Sequence, residues 1–146
     1  GPSGSFTPPG GGGVTQKLSV PGASVIASSN DGNVPANTVD GSLATRWSAN
    51  GDNQWIRFDL GTTKTVEFIK IAWLNGDSRV YSFDIEKSSD GSSWSSVASN
   101  LQSSGTSTAL QTINITDTAT RYIRYVGHGS NVNLWNSLTE VELWGQ

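Results

Sequence analysis

The chain has no cysteine and a single histidine. It can therefore form no disulfide and support no thiol chemistry, and one histidine without cysteine leaves no ligand set for a structural zinc. A basic excess is also missing. Nine Lys and Arg against twelve Asp and Glu leave a net charge of −3 and a pI near 4.9, the wrong balance for a nucleic-acid partner, which requires clustered positive charge. No run of about 18 apolar residues is present, so no membrane-spanning helix is predicted, and no segment keeps a helical period beyond a turn or two. Catalytic groups are equally sparse. Glycoside hydrolysis needs two carboxylates flanking a cleft, and the loops offer only Asp52 and Asp77, both in turn contexts. A Ser–His–Asp triad would have to use His128, and no serine has the glycine pattern of a nucleophile elbow. A lyase trio can be drafted from Arg79, His128 and Tyr81, but not a cleft that would hold a polymer. The chain is expected not to be an enzyme.

What is present is glycine and tryptophan: 17 and 6 in a chain of 146 residues, a length that suits one domain with a real core. Residues 1–5 read as a cleavage and cloning remnant, and the Pro/Gly run at 7–13 as a tether between domains. The globular part is expected over 14–146. A first strand is predicted near 24–28. Residues 54–60 alternate cleanly, with Ile56, Phe58 and Leu60 on one face and Trp55, Arg57 and Asp59 on the other. Further strands are predicted at 64–74, around Tyr81, Phe83 and Ile85, at 94–98, 109–115, 121–126 and 138–144. Short strands separated by turns predict an all-β antiparallel sandwich. If successive strands are antiparallel, the long connections 50–53, 75–80, 99–108 and 127–136 share one end. The short ones, 61–63, 89–93 and 116–118, share the other. Binding residues favour loops on a rigid scaffold, so the long-loop end is the expected working end.

Two stretches invite chemistry. In residues 37–47 an Asp-Gly (Asp40, Gly41) is followed by Ser42 and Thr45, which is how a loop folds back on itself. Hard cations take six to eight oxygens from carboxylates, hydroxyls and carbonyls, and Glu140 or Glu142 could supply a second carboxylate. Spacing alone favours a surface turn with an Asx-type bond over a metal. The working end carries Asn75, Asp77, Arg79, His128, Asn131, Asn133, Trp135 and Asn136. Planar amides, a guanidinium, an imidazole and an indole suit a sugar's hydroxyl rim and apolar faces, although Asn, Asp and Gly dominate any turn. Arg79 lies where a strand begins and should point over the rim, able to hold a carboxylate bidentately. A surface salt bridge to Asp77 or Asp52 is its equal alternative. His128, between two glycines, favours contact over burial. Trp135 either stacks on a ligand or braces its loop.

Four motifs in register carry a family resemblance: residues 38–47 ending in Thr-x-Trp, Trp-Ile-x-x-Asp-Leu-Gly at 55–61, Arg-Tyr-Ile-Arg at 121–124, and Trp-x-Ser-x-x-Glu-Val at 135–141. Together they resemble the discoidin (coagulation-factor type C) superfamily over about residues 24–144, and more closely its family 32 carbohydrate-binding modules. The resemblance implies a jelly-roll, galactose-binding-like β-sandwich. It also implies one structural calcium at positions matching Asn37, Asp40, Ser42, Thr45, Thr139 and Glu140, with side-chain ligands Asp40, Thr45 and Glu140. Residues 46–52, 76–79 and 127–137 look most like modules of bacterial lyases acting on acidic polysaccharides such as alginate. The expected ligand is thus a uronate oligosaccharide or polysaccharide bound by Asn75, Arg79, His128, Asn131, Trp135 and Asn136. Asp52 and Asp77 pull toward an amino sugar instead, and galactose remains open within the family. The other alternative is a discoidin-type adhesion domain for protein or phospholipid. The implied context is a secreted bacterial protein in which a monomeric module is tethered to a catalytic domain.

Overall fold

Alternation of apolar and polar residues does set the strands, but it joins them differently from the pattern read in the sequence. The computed structural model describes residues 13–146. The expected remnant at 1–5 and the tether at 7–13, apart from Gly13, lie outside the described residues. Eight antiparallel strands follow: β1 (Gln16–Lys17), β2 (Ile26–Ala27), β3 (Trp47–Asn50), β4 (Gln54–Trp73), β5 (Tyr81–Ser88), β6 (Ser95–Gln102), β7 (Gln111–Ser130) and β8 (Trp135–Gly145). Two 3-10 turns, Gly22–Ser24 and Pro35–Val39, complete the inventory. The strand expected at 24–28 shrinks to β2, and the one expected at 94–98 lies later, as β6. β1 and β3 are short pieces that pair only with β8, and no local pattern announced them.

The expected strands 54–60 and 64–74 are one strand, as are 109–115 and 121–126. Gly61 takes φ +81 and its N–H donates to Asp59 Oδ1 at 2.8 Å, as in a turn. The chain does turn back there, but into the opposite layer and not into a hairpin with itself, because the ladder with β7 continues in the same sense: Asp59 faces Tyr122 and, after a register shift, Lys64 faces Thr120. Such bulges bend both strands of a pair together. The first half of β4 pairs with β2 and the second half of β7, which leads on to β5 and β6. The second half of β4 lies between β8 and the first half of β7. Ile56 and Phe58 from one half and Ile69, Ile71 and Trp73 from the other share one core. The bend therefore folds the sheet over on itself into two packed layers, a β-sandwich.

Trp47, Tyr81, Phe83, Tyr125 and Leu138 fill the space between the layers. Phe83 stacks on Tyr125 with centroids 4.9 Å apart, and Trp73 packs on Tyr81. Trp73 Nε1 donates to the Tyr125 hydroxyl at 3.1 Å, which supplies the partner a buried indole needs. Trp73 is therefore core and does not form the mouth of a binding site.

Register then decides which loops meet. Asn50 faces Trp135, Gln54 faces Gly127, Ile71 faces Gln111, and Tyr81 faces Ser130. Connections 51–53, 74–80, 103–110 and 131–134 consequently share one end, as strand parity predicts. The loop expected at 127–136 is much shorter, because β7 runs on to Ser130 and closes through Ser130 N to Asn133 O at 2.8 Å. Gly13 and Gln146 meet at the opposite end, where Gly13 N donates to Gln146 Oε1 at 2.9 Å.

Candidate functional site

At the loop end a shallow cleft of ≈ 220 Å³ opens between Asp31, Arg46, Arg79 and Trp135, with buried Ser48 and Ser137 beneath them. Arg79 is delivered by the 74–80 turn. Asn75 enters the left-handed region (φ 53), and its carbonyl accepts from Ser78 N at 3.0 Å and Arg79 N at 2.9 Å. Arg79 Nη1 then donates to the Tyr81 hydroxyl at 3.3 Å, and that hydroxyl donates to Leu74 O at 2.8 Å. Burial raises the Tyr81 pKa, so the hydroxyl stays neutral and acts as a fixed strut. Among the described residues Arg79 makes no ion pair, so the expected alternative, a bridge to Asp77 or Asp52, is not formed. Arg46, at the entry to β3, donates through Nε to Ser48 Oγ at 3.0 Å and likewise has no carboxylate in ion-pair contact. The Asp31 carboxyl is held below its ordinary range. Burial pushes it upward, but the Asn33 backbone N–H and amide, each at 3.0 Å, outweigh that, and the nearby Arg46 charge adds to them. Trp135 is half-buried, with no ring partner and no acceptor on its Nε1 among the described residues. An indole face beside two available guanidiniums can take the apolar face of a pyranose and a carboxylate on its rim. Larger cavities of ≈ 260 and ≈ 470 Å³ flank β1 toward the other end, but neither gathers an aromatic face.

The expected ligand residues divide. Arg79 and Trp135 meet in the cleft, whereas Asn75 and Asn131 do not line it and serve the turn that carries Arg79. Asn131 Oδ1 accepts from Val80 N at 2.9 Å while its own N–H donates to Val80 O at 3.0 Å, pinning the 131–134 loop beside Arg79. Asn136 does not face a ligand. It is fully buried, with Oδ1 accepting from Gly129 N at 2.8 Å and Nδ2 donating to Gly51 O at 2.8 Å and, at longer range, to Ala49 O and Leu134 O. Every polar valence is spent on backbone, so its role is to tie the loops together. His128 is not in the cleft either. It follows Gly127, whose missing side chain faces Asn136 inside the sandwich, so its ring projects from the outer face of the sheet. There Nδ1 meets Asp52 Oδ1 at 2.6 Å and Nε2 meets Asp84 Oδ2 at 2.8 Å. Burial works against its charge, but the two carboxylates prevail and hold its pKa above the ordinary value. The residues sequence reasoning overlooked are Arg46, Asp31, Ser48 and Ser137. Arg46, Ser48 and Ser137 fall within the stretches 46–52 and 127–137 that carry the likeness to lyase-associated modules, but nothing local gave any of them a role.

The residues of the candidate metal loop lie close together. Asp40 Oδ1 accepts from Ser42 N at 2.9 Å, and Oδ2 from the Thr45 hydroxyl. Glu140, buried on β8, accepts from Gly41 N at 3.1 Å and lies in contact with Asp40. Burial, then the adjoining Asp40 carboxyl, push the Glu140 pKa up to about 7. A β8 register shift leaves Thr139 without a partner on β4, and its buried hydroxyl bonds nothing. Asn37 gives its amide to Arg46 O at 2.9 Å. Two carboxylates, with hydroxyl and carbonyl oxygens around them and no nitrogen or sulfur ligand, form a donor set that fits a hard cation such as calcium. The excess negative charge and the idle Thr139 oxygen point the same way. No group of three or more His, Cys, Asp or Glu gathers among the described residues, and the fit does not require one.

The family model described as F5/8 type C domain matches residues 23–141. Among solved structures, the CBM32 of AlyQ in complex with 4,5-unsaturated mannuronic acid is 48% identical, with a TM-score of 0.83 over 88% of this chain and 97% of that one. A truncated AlyQ with CBM32 and alginate lyase domains is 47% identical, with a TM-score of 0.85 over 91% of this chain. This chain spans 34% of that longer protein. A pectin-binding carbohydrate-binding module is 29% identical, with a TM-score of 0.79 over 89% of this chain and 91% of that one. No curated protein sequence matches the chain.

Proposed function

This chain belongs to the F5/8 type C domain family as a non-catalytic family 32 carbohydrate-binding module, and from that premise we propose that its ligand is an acidic, uronate-containing polysaccharide such as alginate. The observation that carries the reading is the pairing of two guanidiniums, Arg46 and Arg79, with the unpartnered face of Trp135 in one cleft. A uronate offers what this cleft lacks: a carboxylate for the arginines and a C–H face for the indole. The ligand named for the 48%-identical AlyQ module, an unsaturated mannuronic acid, has that chemistry. His128 and Asn136 are left out of the site, and Arg46 enters it. In this reading the module would hold an attached catalytic domain on a polymer outside a bacterial cell. A domain joined through the end where Gly13 and Gln146 meet would leave the cleft clear. The loop of Asp40, Thr45 and Glu140 would hold one calcium as a structural staple between the first third of the domain and β8.

The test is calorimetric titration of alginate, galactose and glucosamine oligosaccharides into wild type, Arg79→Ala and Trp135→Ala. A shallow site buries few ligand atoms, so affinities of roughly −4 to −8 kcal/mol, in the micromolar-to-millimolar range, are expected. The uronate should bind best, added salt should weaken it, and both variants should lose most of the binding. Preferential binding of neutral galactosides, or of the amino sugar that Asp31 could attract, would retain the module and discard the uronate. Equal binding by wild type and variants would move the site elsewhere.

A further inference from the structure

The candidate cation loop and the sugar cleft share one residue's backbone. Arg46 leaves the loop directly after Thr45, whose hydroxyl bonds Asp40, and Arg46's own carbonyl is gripped by the Asn37 amide at 2.9 Å. Both sides of this residue are therefore positioned by the segment expected to close on a cation. The Arg46 side chain then crosses into the cleft, where Nε bonds Ser48 Oγ, and Ser48 Oγ shares a hydrogen bond with Ser137 Oγ at 2.8 Å. Ser137 lies on β8 just before Thr139 and Glu140, so a second route leads from the cation loop to the same guanidinium. Arg79 is built differently. Its 74–80 turn closes on Asn75 O, Tyr81 and Asn131 and is anchored to β8 by Leu74 N donating to Ser137 O at 3.1 Å, but among the described residues it shares no hydrogen bond with residues 37–45, which hold Arg46 on both sides.

Resting on the uronate reading above, we propose that Arg46 couples the two sites: calcium held by the Asp40 loop raises the affinity of the cleft for a uronate, and the uronate raises the affinity for calcium. The physical basis is pre-organisation. A loop free to fluctuate presents the Arg46 guanidinium in the right place only part of the time, and apparent affinity falls by that fraction. Closing the loop on a cation removes the cost before the sugar arrives, and linkage makes the effect reciprocal. Arg79 carries its share of the binding regardless of calcium.

The experiment titrates a mannuronate disaccharide against the whole chain in millimolar calcium and in chelator, below the melting temperature in both. Intrinsic tryptophan fluorescence and calorimetry serve as readouts. Wild type should bind about 5- to 10-fold more tightly in calcium, at the lower end of typical couplings. Arg79→Ala, weaker in both buffers, should keep that ratio, and Arg46→Gln should lose it. Calcium taken up by the disaccharide itself is common to every protein and subtracts through Arg46→Gln. In the reciprocal titration, calcium should bind wild type tighter by the same factor when the uronate is saturating. Equal uronate affinity with and without calcium, or a ratio that survives in Arg46→Gln, overturns the coupling while leaving the ligand intact. No uronate binding in either buffer sinks the ligand reading, and the coupling with it.

Discussion

Replacing Asn136 by alanine should cost stability, and the structure sets the size of the loss. The amide is fully buried and joins four backbone positions: Gly129 N and Gly51 O at 2.8 Å, with Ala49 O and Leu134 O at 3.2 and 3.3 Å. Truncation strands at least one buried N–H and one well-made carbonyl, each worth about 1–3 kcal/mol once it has no partner and no water. The two longer contacts add little, and a small void is left against Gly127, where the amide now packs. The sum is about 2–6 kcal/mol, a large part of the roughly 5–15 kcal/mol available to a domain. For a chain of this length about 3 °C is lost per kcal/mol, so the melting temperature should fall by about 6–18 °C. Urea denaturation followed by tryptophan fluorescence gives the free energy, and calorimetry gives the temperature. Asn136→Asp should be as severe, because a carboxylate cannot donate to the three carbonyls. If Asn136→Ala unfolds within about 0.5 kcal/mol of wild type, the ordinary range for a surface change, the interior role assigned to this residue is wrong.

Three further outcomes follow from other parts of the molecule. Chelation should lower the melting temperature, by an amount equivalent to about 2.7 kcal/mol when the calcium removed was at 100 times its Kd, and Asp40→Ala should melt alike with and without calcium; a wild-type melt indifferent to chelator removes the metal. Because the folded pKa of His128 is raised by Asp84 and Asp52, its contribution is fully present below the unfolded value of about 6.5 and is lost as pH rises through the higher folded value. Wild type should therefore lose stability relative to His128→Ala across that window in urea melts at stepped pH, and a constant difference would deny that the imidazolium is the folded form. Gly145→Ala would set a Cβ against the backbone carbonyl of Thr65, which no rotamer can relieve; about 1–3 kcal/mol or more should be lost, and an unchanged chemical denaturation midpoint would contradict the close approach of β8 to β4.

Much of this was legible in the chain because it is local. Ile56, Phe58 and Leu60 alternate with Trp55, Arg57 and Asp59, and the structure buries the first set. Strand parity alone collects 51–53, 74–80 and 131–134 at one end, since each antiparallel reversal moves the chain to the opposite edge. The Asp40 loop closes within a few residues, so its Asp-Gly and its hydroxyls announce it. Arg79 lies at the mouth of a strand whose inward parity was plain. The errors came where the same local signal permits two outcomes. Gly61 with φ +81 serves a hairpin turn and a strand folded across two layers equally well. The choice fell to the pairing of Lys64 with Thr120, more than fifty residues on.

The sequence by itself determined an all-β chain, its family, the composition of its loops and the assembly of its Asp40 loop. All of these follow from patterns whose range is a turn or a strand. Tertiary structure alone decided which way the loop side chains look. Asn136 turns inward because the Gly129 N–H needs an acceptor and the carbonyls of Ala49 and Gly51 a donor. His128 turns outward because Gly127 takes the inner position beside it and Asp52 and Asp84 wait on the other face. Arg46 joins Arg79 and Trp135 because β3 pairs with β8, which sets Ser48 against Ser137 and leaves the Arg46 side chain over that pair in the cleft. A side chain's identity fixes what it can bond. Its partners come from segments distant in sequence, so only the folded chain could show which of these polar residues remain free to meet a ligand.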